Sequence, residues 1–224
     1  MLFSTGQSLY EGGMSDAAAP ADDAPEGLVA RLVHIGETAP ENGLTLGEFM
    51  EALGERAFGV LLFAFAIPVC IPFLYGIPQV LSLPMMALAF QLAAGRGEPW
   101  MPEKFRSRPM EKRGLQRMGR QAKRWFGWIE AIARPRLLFL SGPTGERVVG
   151  AVFCLFCASI LVPLPLTNST PGLAVAIASL GLITRDGLLI LLGLVLGIVW
   201  ISILVIGGPA LIYALIEWVR GLLG

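Results

Sequence analysis

The chain has 224 residues, of which 54% are hydrophobic and 15% are charged. This composition excludes an ordinary soluble domain, in which about 25% of residues are charged, and it predicts an all-α integral membrane protein. The formal net charge of +0 conceals a segregation of charge along the chain. Residues 1–55 hold ten acidic side chains against Arg31 alone, whereas residues 101–147 hold twelve basic side chains against four acidic ones.

The N-terminal segment, residues 1–43, is predicted to be an acidic and largely disordered tail. Its stretch AAAPADDAPEG, at Ala17–Gly27, has the low hydrophobicity of disordered chains. Residues 1–27 lack the basic start and the apolar run of a cleaved signal peptide, and Met14 is an alternative start. Within the tail, residues 28–35 are a weaker helix candidate.

A helix start is marked at Thr45, which lies three residues before Glu48 in the spacing of a capping box. The helix that follows would carry apolar residues on one face and glutamates on another. We expect it to run straight into the apolar segment that begins at Arg56.

Two segments of the chain resemble each other. The sequence GERAFGVLLFAFAIPVCIP, at Gly54–Pro72, aligns with GERVVGAVFCLFCASILVP, at Gly145–Pro163, with a shift of 91 residues. After a two-residue deletion, Leu83–Arg96 aligns with Gly172–Arg185, which places Arg96 on Arg185. Because each copy consists of an apolar limb, a proline-rich turn and a second apolar limb, we predict two related membrane hairpins. The two membrane repeats are residues 44–100 and 145–186.

The limbs of these hairpins are short. Arg56–Pro72 would rise about 24 Å as α-helix, and the return limbs Pro84–Arg96 and Pro171–Arg185 about 18 and 21 Å. A hydrocarbon core of about 30 Å needs about twenty residues per crossing, so the hairpins are predicted to be thin or re-entrant. Residues 187–224 instead supply a full transmembrane helix, with a kink predicted at 207–209.

The turn of the second hairpin carries a polar cluster, Thr167, Asn168, Ser169 and Thr170, inside LVPLPLTNSTPG. These side chains can cap helix ends that the neighbouring prolines break, with Thr170 as the N-cap of the return helix. Broken helices with polar turns also form ligand sites in transporters. Both interpretations stay open, and in the second the first hairpin adds Tyr75 and Gln79.

Four arginines delimit the hairpins. Arg56 and Arg147 begin the ascending limbs, and Arg96 and Arg185 end the returning limbs. We therefore expect all four near one membrane face, either as interfacial anchors paired with nearby carboxylates or as contacts for an anionic ligand. The nearby carboxylates are Glu55, Glu146 and Asp186.

Residues 101–144 form a basic connector between the repeats. Its core, Met110–Leu140, places apolar residues at helical spacing, including Trp125, with arginines and lysines on the remaining surface. Such a helix, which also carries Trp128, is expected to lie among anionic lipid headgroups, and the positive-inside rule predicts that the connector is cytoplasmic. Zinc-site and RNA-binding signatures are missing from the sequence, so we expect no nucleic-acid partner.

The sequence carries none of the common catalytic motifs and has only one histidine, so we expect no enzyme activity and no cofactor. Cys154 and Cys157 have the spacing of a metal or redox motif, but a second ligand pair is missing and we interpret them as packing residues. With five short limbs at most, one chain can hardly enclose a polar pathway, so we expect a homo-oligomer.

Five features in the same order resemble the bacterial exopolysaccharide synthesis ExoD family. They are the GER-initiated limb, the proline-rich turn, RGEPWMP at Arg96–Pro102, RPRLLFLSGP at Arg134–Pro143, and ITRDGLL at Ile183–Leu189. The resemblance covers about Leu44–Ile212. It implies a bacterial inner-membrane protein associated with exopolysaccharide production, and with host invasion and alkali tolerance in plant symbionts, but it implies no catalytic residues.

Three functions are compatible with these features. The first is transport of an anionic solute or lipid carrier, with Asn168, Ser169, Thr170, Tyr75 and Gln79 lining a polar site between the hairpins that faces the four arginines. In this hypothesis, helices starting at Pro84 and Pro171 direct their positive N-terminal ends at the anion. The second is a non-transporting accessory or scaffold protein of the polysaccharide assembly machinery, and the third is a cation or proton transporter linked to alkali tolerance.

Overall fold

The computed structural model describes residues 27–71, 76–132, 137, 139–161 and 168–223, where nine α-helices and a two-stranded sheet form. The acidic residues before Gly27 and both hairpin turns lie outside these ranges. The helices are α1 (Leu28–Thr38), α2 (Leu46–Leu53), α3 (Arg56–Cys70), α4 (Ile77–Ala93), α5 (Glu103–Arg106), α6 (Lys112–Ile132), α7 (Pro143–Leu161), α8 (Ser169–Thr184) and α9 (Gly187–Leu223). The strands are β1 (Leu44–Thr45) and β2 (Pro109–Met110).

The membrane core is a bundle in which the two hairpins exchange partners. Helix α3 packs mainly against α8, and α4 packs mainly against α7. Glycines allow the close approach: a Cβ added at Gly59 would lie 2.9 Å from the Ile183 side chain. A Cβ added at Gly150 would lie 2.7 Å from the Ala89 carbonyl oxygen and 2.4 Å from the Ala93 nitrogen. Since the start of one helix meets the end of its partner, both pairs are antiparallel.

The buried faces of the two hairpins coincide at constant offsets, 91 residues between α3 and α7 and 90 residues between α4 and α8. The return limbs were predicted to align with Arg96 on Arg185, but the offset of 90 places Gly95 there instead. Gly95 and Arg185 also share a left-handed backbone, with φ of 78° and 53°. The coinciding buried pairs are Phe58/Val149, Gly59/Gly150, Leu62/Phe153, Ala66/Cys157, Val69/Ile160, Ser82/Gly172, Met85/Val175, Leu88/Ala178, Ala89/Ser179 and Leu92/Leu182.

Helix α9 packs antiparallel on α8 through its first turns. A Cβ at Gly181 would lie 2.5 Å from the Ile190 nitrogen, and one at Gly193 would lie 2.6 Å from the Ala178 nitrogen. The helix then continues to Leu223, and the kink at residues 207–209 stays a prediction. Its large side chains beyond the bundle are exposed, as expected for a surface in lipid.

Within the described residues, two helices are long and apolar enough to cross a membrane, α7 and the segment Gly187–Gly208 of α9. Helices α4 and α8 are apolar but shorter. The chain is thus a helical membrane protein. The predicted re-entrant path of the hairpins stays a prediction, because the lengths fit either a thin span or a re-entrant loop.

Helices α2 and α3 do not form one straight helix. The predicted capping box is confirmed: the Thr45 hydroxyl accepts from the Glu48 amide, and the Glu48 carboxylate accepts from the Thr45 amide at 2.7 Å. However, α2 ends at Gly54, whose φ of 58° favours glycine, and the axis of α3 is bent from that of α2 by 118°. The expected straight continuation is wrong because this residue stops the first helix.

The return helices begin earlier than predicted. Helix α4 starts at Ile77 and contains Pro84 in its interior, and α8 starts at Ser169 with Pro171 in its first turn. A proline in the first turn removes only an amide that has no helical acceptor. An interior proline in an apolar bundle is tolerated where neighbouring groups satisfy the freed backbone. The proposed helix starts at Pro84 and Pro171 are therefore wrong.

Helix α1 covers the apolar face of the connector helix α6. Gly36 of α1 approaches the backbone of Gln116, and Gly119 of α6 approaches the backbone of Val33, both at 3.1 Å from an added Cβ. The contact is antiparallel, and Leu115 is buried in the same cluster as α1. Residues 28–38, which fall in the range assigned to the acidic tail, therefore form a packed helix. The side chains of Trp125 and Trp128 lie outside the described set.

Candidate functional site

The helix ends that carry arginine gather at one end of the bundle. Arg56 begins α3, Arg96 follows α4, Arg147 lies in the first turns of α7, and Arg185 follows α8. Because α3 is antiparallel to α8 and α4 is antiparallel to α7, these four positions meet. We call this set, together with Glu55, Glu146 and Asp186, the charged end.

One ion pair joins the two hairpins at the charged end. The Arg185 guanidinium binds the Glu55 carboxylate, with both side chains more than half exposed. Glu146 lies close enough to interact electrostatically with both partners. An exposed ion pair of this kind contributes only about 0.2–1 kcal/mol, so the packing of the helices and not this pair determines where the helix ends lie.

Arg147 occupies the space above Gly95. A Cβ at Gly95 would lie 2.4 Å from Arg147 Nε and 2.6 Å from one of its terminal nitrogens. Gly95 follows the last turn of α4, where unsatisfied carbonyl groups concentrate negative charge. The guanidinium therefore lies where the helix dipole favours a cation, and this position accounts for Arg147 without a ligand.

Asp186 begins α9. Its side chain is 5% exposed and its carboxylate accepts a hydrogen bond from the Leu188 amide at 2.9 Å. A carboxylate at this position satisfies an orphan amide and interacts favourably with the helix dipole. Asp186 therefore has a structural role in starting α9.

The opposite end of the bundle carries the polar turn residues. Val69, near the end of α3, packs on Gly172 in the first turns of α8, with 2.7 Å between Val69 Cγ1 and an added Cβ. The starts of α4 and α8 therefore lie at the end opposite the arginines. The predicted site that joins the polar turns to the arginines is not brought together, because the two sets occupy opposite ends of the helices.

Two amide oxygens are buried at this end, which we call the turn end. Neither Gln79 Oε1, in the first turn of α4, nor Asn168 Oδ1, at the N-cap of α8, finds a hydrogen-bond donor among the described residues. A buried polar atom without a partner costs free energy. Ser169 and Thr170 are half-buried beside them. Tyr75, the remaining predicted member, lies outside the described residues.

The N-cap of α8 differs from the prediction. Asn168, and not Thr170, occupies the N-cap, and its side chain makes no capping hydrogen bond. Thr170 instead lies in the first turn of the helix. The polar cluster is thus not accounted for by side-chain capping of α8.

The described residues contain no group of three or more histidine, cysteine, aspartate or glutamate side chains that could hold a metal ion. Cys154 and Cys157 lie in α7 among apolar neighbours. Cys154 approaches the Met86 carbonyl oxygen at 4.0 Å, which is a packing contact between α7 and α4.

Sequence reasoning missed two features of these ends. One is the contact of Arg147 with Gly95, for which the only local signal is a glycine directly before an arginine at the end of an apolar limb. The other is the buried carboxylate of Asp186. An aspartate two residues before an apolar run is a helix-start signal that could have identified it.

The fold is a bundle of apolar helices with one charged end, which is the architecture of a helical membrane protein. The chain belongs to the family described as Exopolysaccharide synthesis, ExoD, whose family model matches residues 28–206. The match runs from α1 into α9 and confirms the resemblance noted in the sequence. Membership relates the chain to exopolysaccharide synthesis.

Two curated proteins are similar to the chain. Protein ExoD of Rhizobium meliloti is 31% identical over 157 residues, which cover 66% of this chain and 64% of that protein. An uncharacterized protein of Synechocystis sp. is 26% identical over 186 residues, which cover 79% of this chain and 88% of that protein. No solved structure matches the chain.

Proposed function

We propose that this protein is a bacterial inner-membrane protein that supports exopolysaccharide synthesis by moving an anionic solute or an anionic lipid carrier, with the turn end as its binding site. The observation that carries the proposal is the pair of buried amide oxygens, Gln79 Oε1 and Asn168 Oδ1. Each lies at the start of a return helix, Gln79 in the first turn of α4 and Asn168 at the N-cap of α8. A phosphate ester with hydroxyl groups fits such a site, because hydroxyls satisfy the amide oxygens and helix starts favour the phosphate.

The exchange of partners supports a duplicated architecture. Each hairpin buries the same positions, and the contacts of Gly59 and Gly150 are equivalent by the offsets of 91 and 90 residues. Two copies related by a pseudo-twofold axis produce this pattern, and such repeats are common in transporters. The ligand site then lies on the axis, with unequal contributions from the two halves.

The arginines are not part of this site. Arg147 and Arg185 are accounted for by Gly95 and Glu55, at the opposite end of the bundle. We therefore assign the charged end a role in holding the hairpins together at the cytoplasmic face, where the positive-inside rule places the connector. The half-buried Arg56 and the exposed Arg96 belong to the same end.

A second candidate is an accessory protein that transports nothing and positions the polysaccharide assembly machinery. The observation in its favour is the packed unit of α1, α2 and α6, which holds a separate apolar cluster and extends a charged surface from the membrane bundle. Cation or proton transport ranks below both candidates, because no acidic residue lies deep in any limb. Neither candidate requires catalysis or a cofactor.

The deciding substitution is Asn168→Asp. Aspartate has nearly the same shape as asparagine, so the substitution adds a negative charge to the site without changing the packing volume, and this charge should repel an anion. Asn168→Ser, which removes the amide without adding a charge, is the matched control. Both variants are compared at equal amounts of folded protein in the membrane.

Two measurements separate the candidates. Proteoliposomes containing the wild-type protein should translocate a fluorescent phosphate-headed lipid, and Asn168→Asp should slow this more than Asn168→Ser at equal protein content. In cells that lack the chromosomal copy, the same order should hold for exopolysaccharide output. Wild-type proteoliposomes without translocation, together with full output from Asn168→Asp, would refute transport and favour the accessory role.

A further inference from the structure

A basic stripe runs along α6 and has no ion-pair partner among the described residues. It consists of Arg113, Arg117, Arg120 and Arg124, at spacings of four, three and four residues, with Lys123 beside them. These spacings place the four arginines on one face of the helix. All five side chains are exposed, and none takes part in an ion pair within the described part of the chain.

The opposite face of α6 is occupied by α1. The buried positions Leu115, Gly119 and Ala122 also follow helical spacing, and they are about half a turn away from the basic stripe. Because α1 covers these apolar positions, the described surface of α6 opposite α1 is basic, and we expect it to bind a partner by charge.

The packing of α1 fixes where the N-terminal segment of the chain leaves the fold. Gly36 lies beside Gln116, and Gly119 lies beside Val33, so α1 and α6 are antiparallel. The same register brings Leu28, the first residue of α1, to the level of Ala122 in their common buried cluster. Gly27, the N-cap of α1, therefore lies at the level of the C-terminal half of the basic stripe, on the other side of α6.

The charge of that segment is complementary to the stripe. Residues 1–26 contain five acidic residues and no lysine or arginine, and three of the five, Asp22, Asp23 and Glu26, lie within six residues of Leu28. Six extended residues reach about 20 Å, and a helix is about 10 Å across. The segment can thus pass around α6 to the stripe, at the millimolar effective concentration that a short tether confers.

We propose that the acidic segment of residues 1–26 binds the basic stripe of α6 and competes there with anionic lipid headgroups. The matched range of the family starts at Leu28, so α6 lies inside it and the acidic segment lies outside it.

A carbodiimide cross-linker tests the contact, because it joins a carboxylate to a lysine amine only when the two groups touch. The full-length protein is placed in nanodiscs of zwitterionic phosphatidylcholine, and cross-linked peptides are identified by mass spectrometry. The expected product joins Asp22, Asp23 or Glu26 to Lys123. The ion pair of Lys112 with Glu41, at 2.9 Å, provides an internal positive control.

Two perturbations show whether the stripe is the partner. The triple variant Arg117→Gln, Arg120→Gln, Arg124→Gln removes the charge of the stripe without adding a carboxylate near Lys123, so the Lys123 product should fall roughly tenfold while the Lys112 product persists. Raising the salt from 0.1 to 1 M shortens the Debye length from about 10 to about 3 Å and should also reduce the Lys123 product.

Three outcomes would overturn the proposal. One is the absence of the Lys123 product in zwitterionic discs that yield the Lys112 product. Another is an equal yield of the Lys123 product in the triple variant, which would mean that contact does not depend on the stripe. The third is an undiminished yield of the Lys123 product in discs that contain anionic phosphatidylglycerol, which would show that lipid headgroups do not compete for the stripe.

Discussion

The contact of α7 with α4 at Gly150 predicts a graded loss of stability on substitution by alanine. The added Cβ of Gly150→Ala would lie 2.4 Å from the Ala93 nitrogen and 2.7 Å from the Ala89 carbonyl oxygen. These are backbone atoms in the last two turns of α4 and not a flexible side chain, so the clash is relieved when α7 moves away from α4. A carbon atom needs about 3.5 Å, so the helices must separate locally by about 1 Å.

The magnitude follows from two opposing effects. Overpacking a tight interface costs about 1–3 kcal/mol, and alanine recovers up to about 1 kcal/mol of helix propensity relative to glycine. We expect a net loss of about 1–2 kcal/mol, which for a domain of this size lowers Tm by about 2–8 °C. Gly59→Ala should cost less, because its nearest atom, at 2.9 Å, belongs to the flexible Ile183 side chain.

A matched control lies on α9. Gly207 is helical and exposed, and an added Cβ meets no atom within 4 Å, so Gly207→Ala should leave Tm unchanged or raise it. Thermal unfolding in detergent can be followed with a thiol-reactive fluorophore, because Cys157 is fully buried in the same bundle. The reasoning fails if Gly150→Ala unfolds at the same temperature as Gly207→Ala, or if Gly59→Ala is the more damaging substitution.

Three further predictions concern the ends of the helices and the connector. Gly95→Ala should destabilise the protein by about 1–2 kcal/mol, because φ is 78° and Arg147 fills the space, whereas Gly97→Ala meets no atom and should be neutral; equal Tm values would contradict this. The Thr45 amide and hydroxyl hold the pKa of Glu48 below its ordinary value. The stabilisation from these hydrogen bonds is therefore complete above a pH of about 4.3 and is lost as the pH falls through the pKa of the folded protein. The Tm of Glu48→Gln should depend less on pH in that range, and an unchanged dependence would show that the Glu48 carboxylate does not contribute to it. A cysteine at Ser107, in a variant without native cysteines, should react with an impermeant thiol reagent only when the cytoplasmic side is open, and labelling in intact spheroplasts would reverse the proposed topology.

The sequence was informative where local chemistry determines structure. The composition identified a helical membrane protein, and the Thr45 capping box is confirmed because both of its partners lie within one turn. Charge and helical spacing predicted the basic helix that the structure places at Lys112–Ile132. Family membership was predicted from the order of short motifs and is confirmed.

Errors arose where packing between distant segments overrides local rules. Pro84 was interpreted as a helix start, yet it is the eighth residue of α4, which remains helical to Ala93. The bend at Gly54 depends on a left-handed backbone that a glycine permits but does not require. The pairing of α1 with α6 joins segments about eighty residues apart, and no local pattern in the weak helix at residues 28–35 indicated its partner.

The sequence placed the polar turn residues and the four arginines in one site, whereas the structure places them at opposite ends of the bundle. Gln79 and Asn168 share the turn end, as expected from their places in the two repeats, whereas the arginines lie at the opposite end. The predicted limbs, about 18–24 Å long, already separated the turns from the arginines. The return helices of 17 and 16 residues increase this distance to about 25 Å, which is too far for one small ligand to contact both sets.

The exchange of partners between the hairpins has a consequence for biosynthesis. The face of α3 that α8 covers is complete once Cys70 has been translated, but α8 ends only at Thr184. At 5–20 residues per second, translation of the intervening chain takes roughly ten seconds. Throughout that interval the first hairpin has no native partner, and its glycine-lined groove faces lipid or any other nascent helix nearby. The membrane insertion machinery must therefore retain the first hairpin until the second arrives.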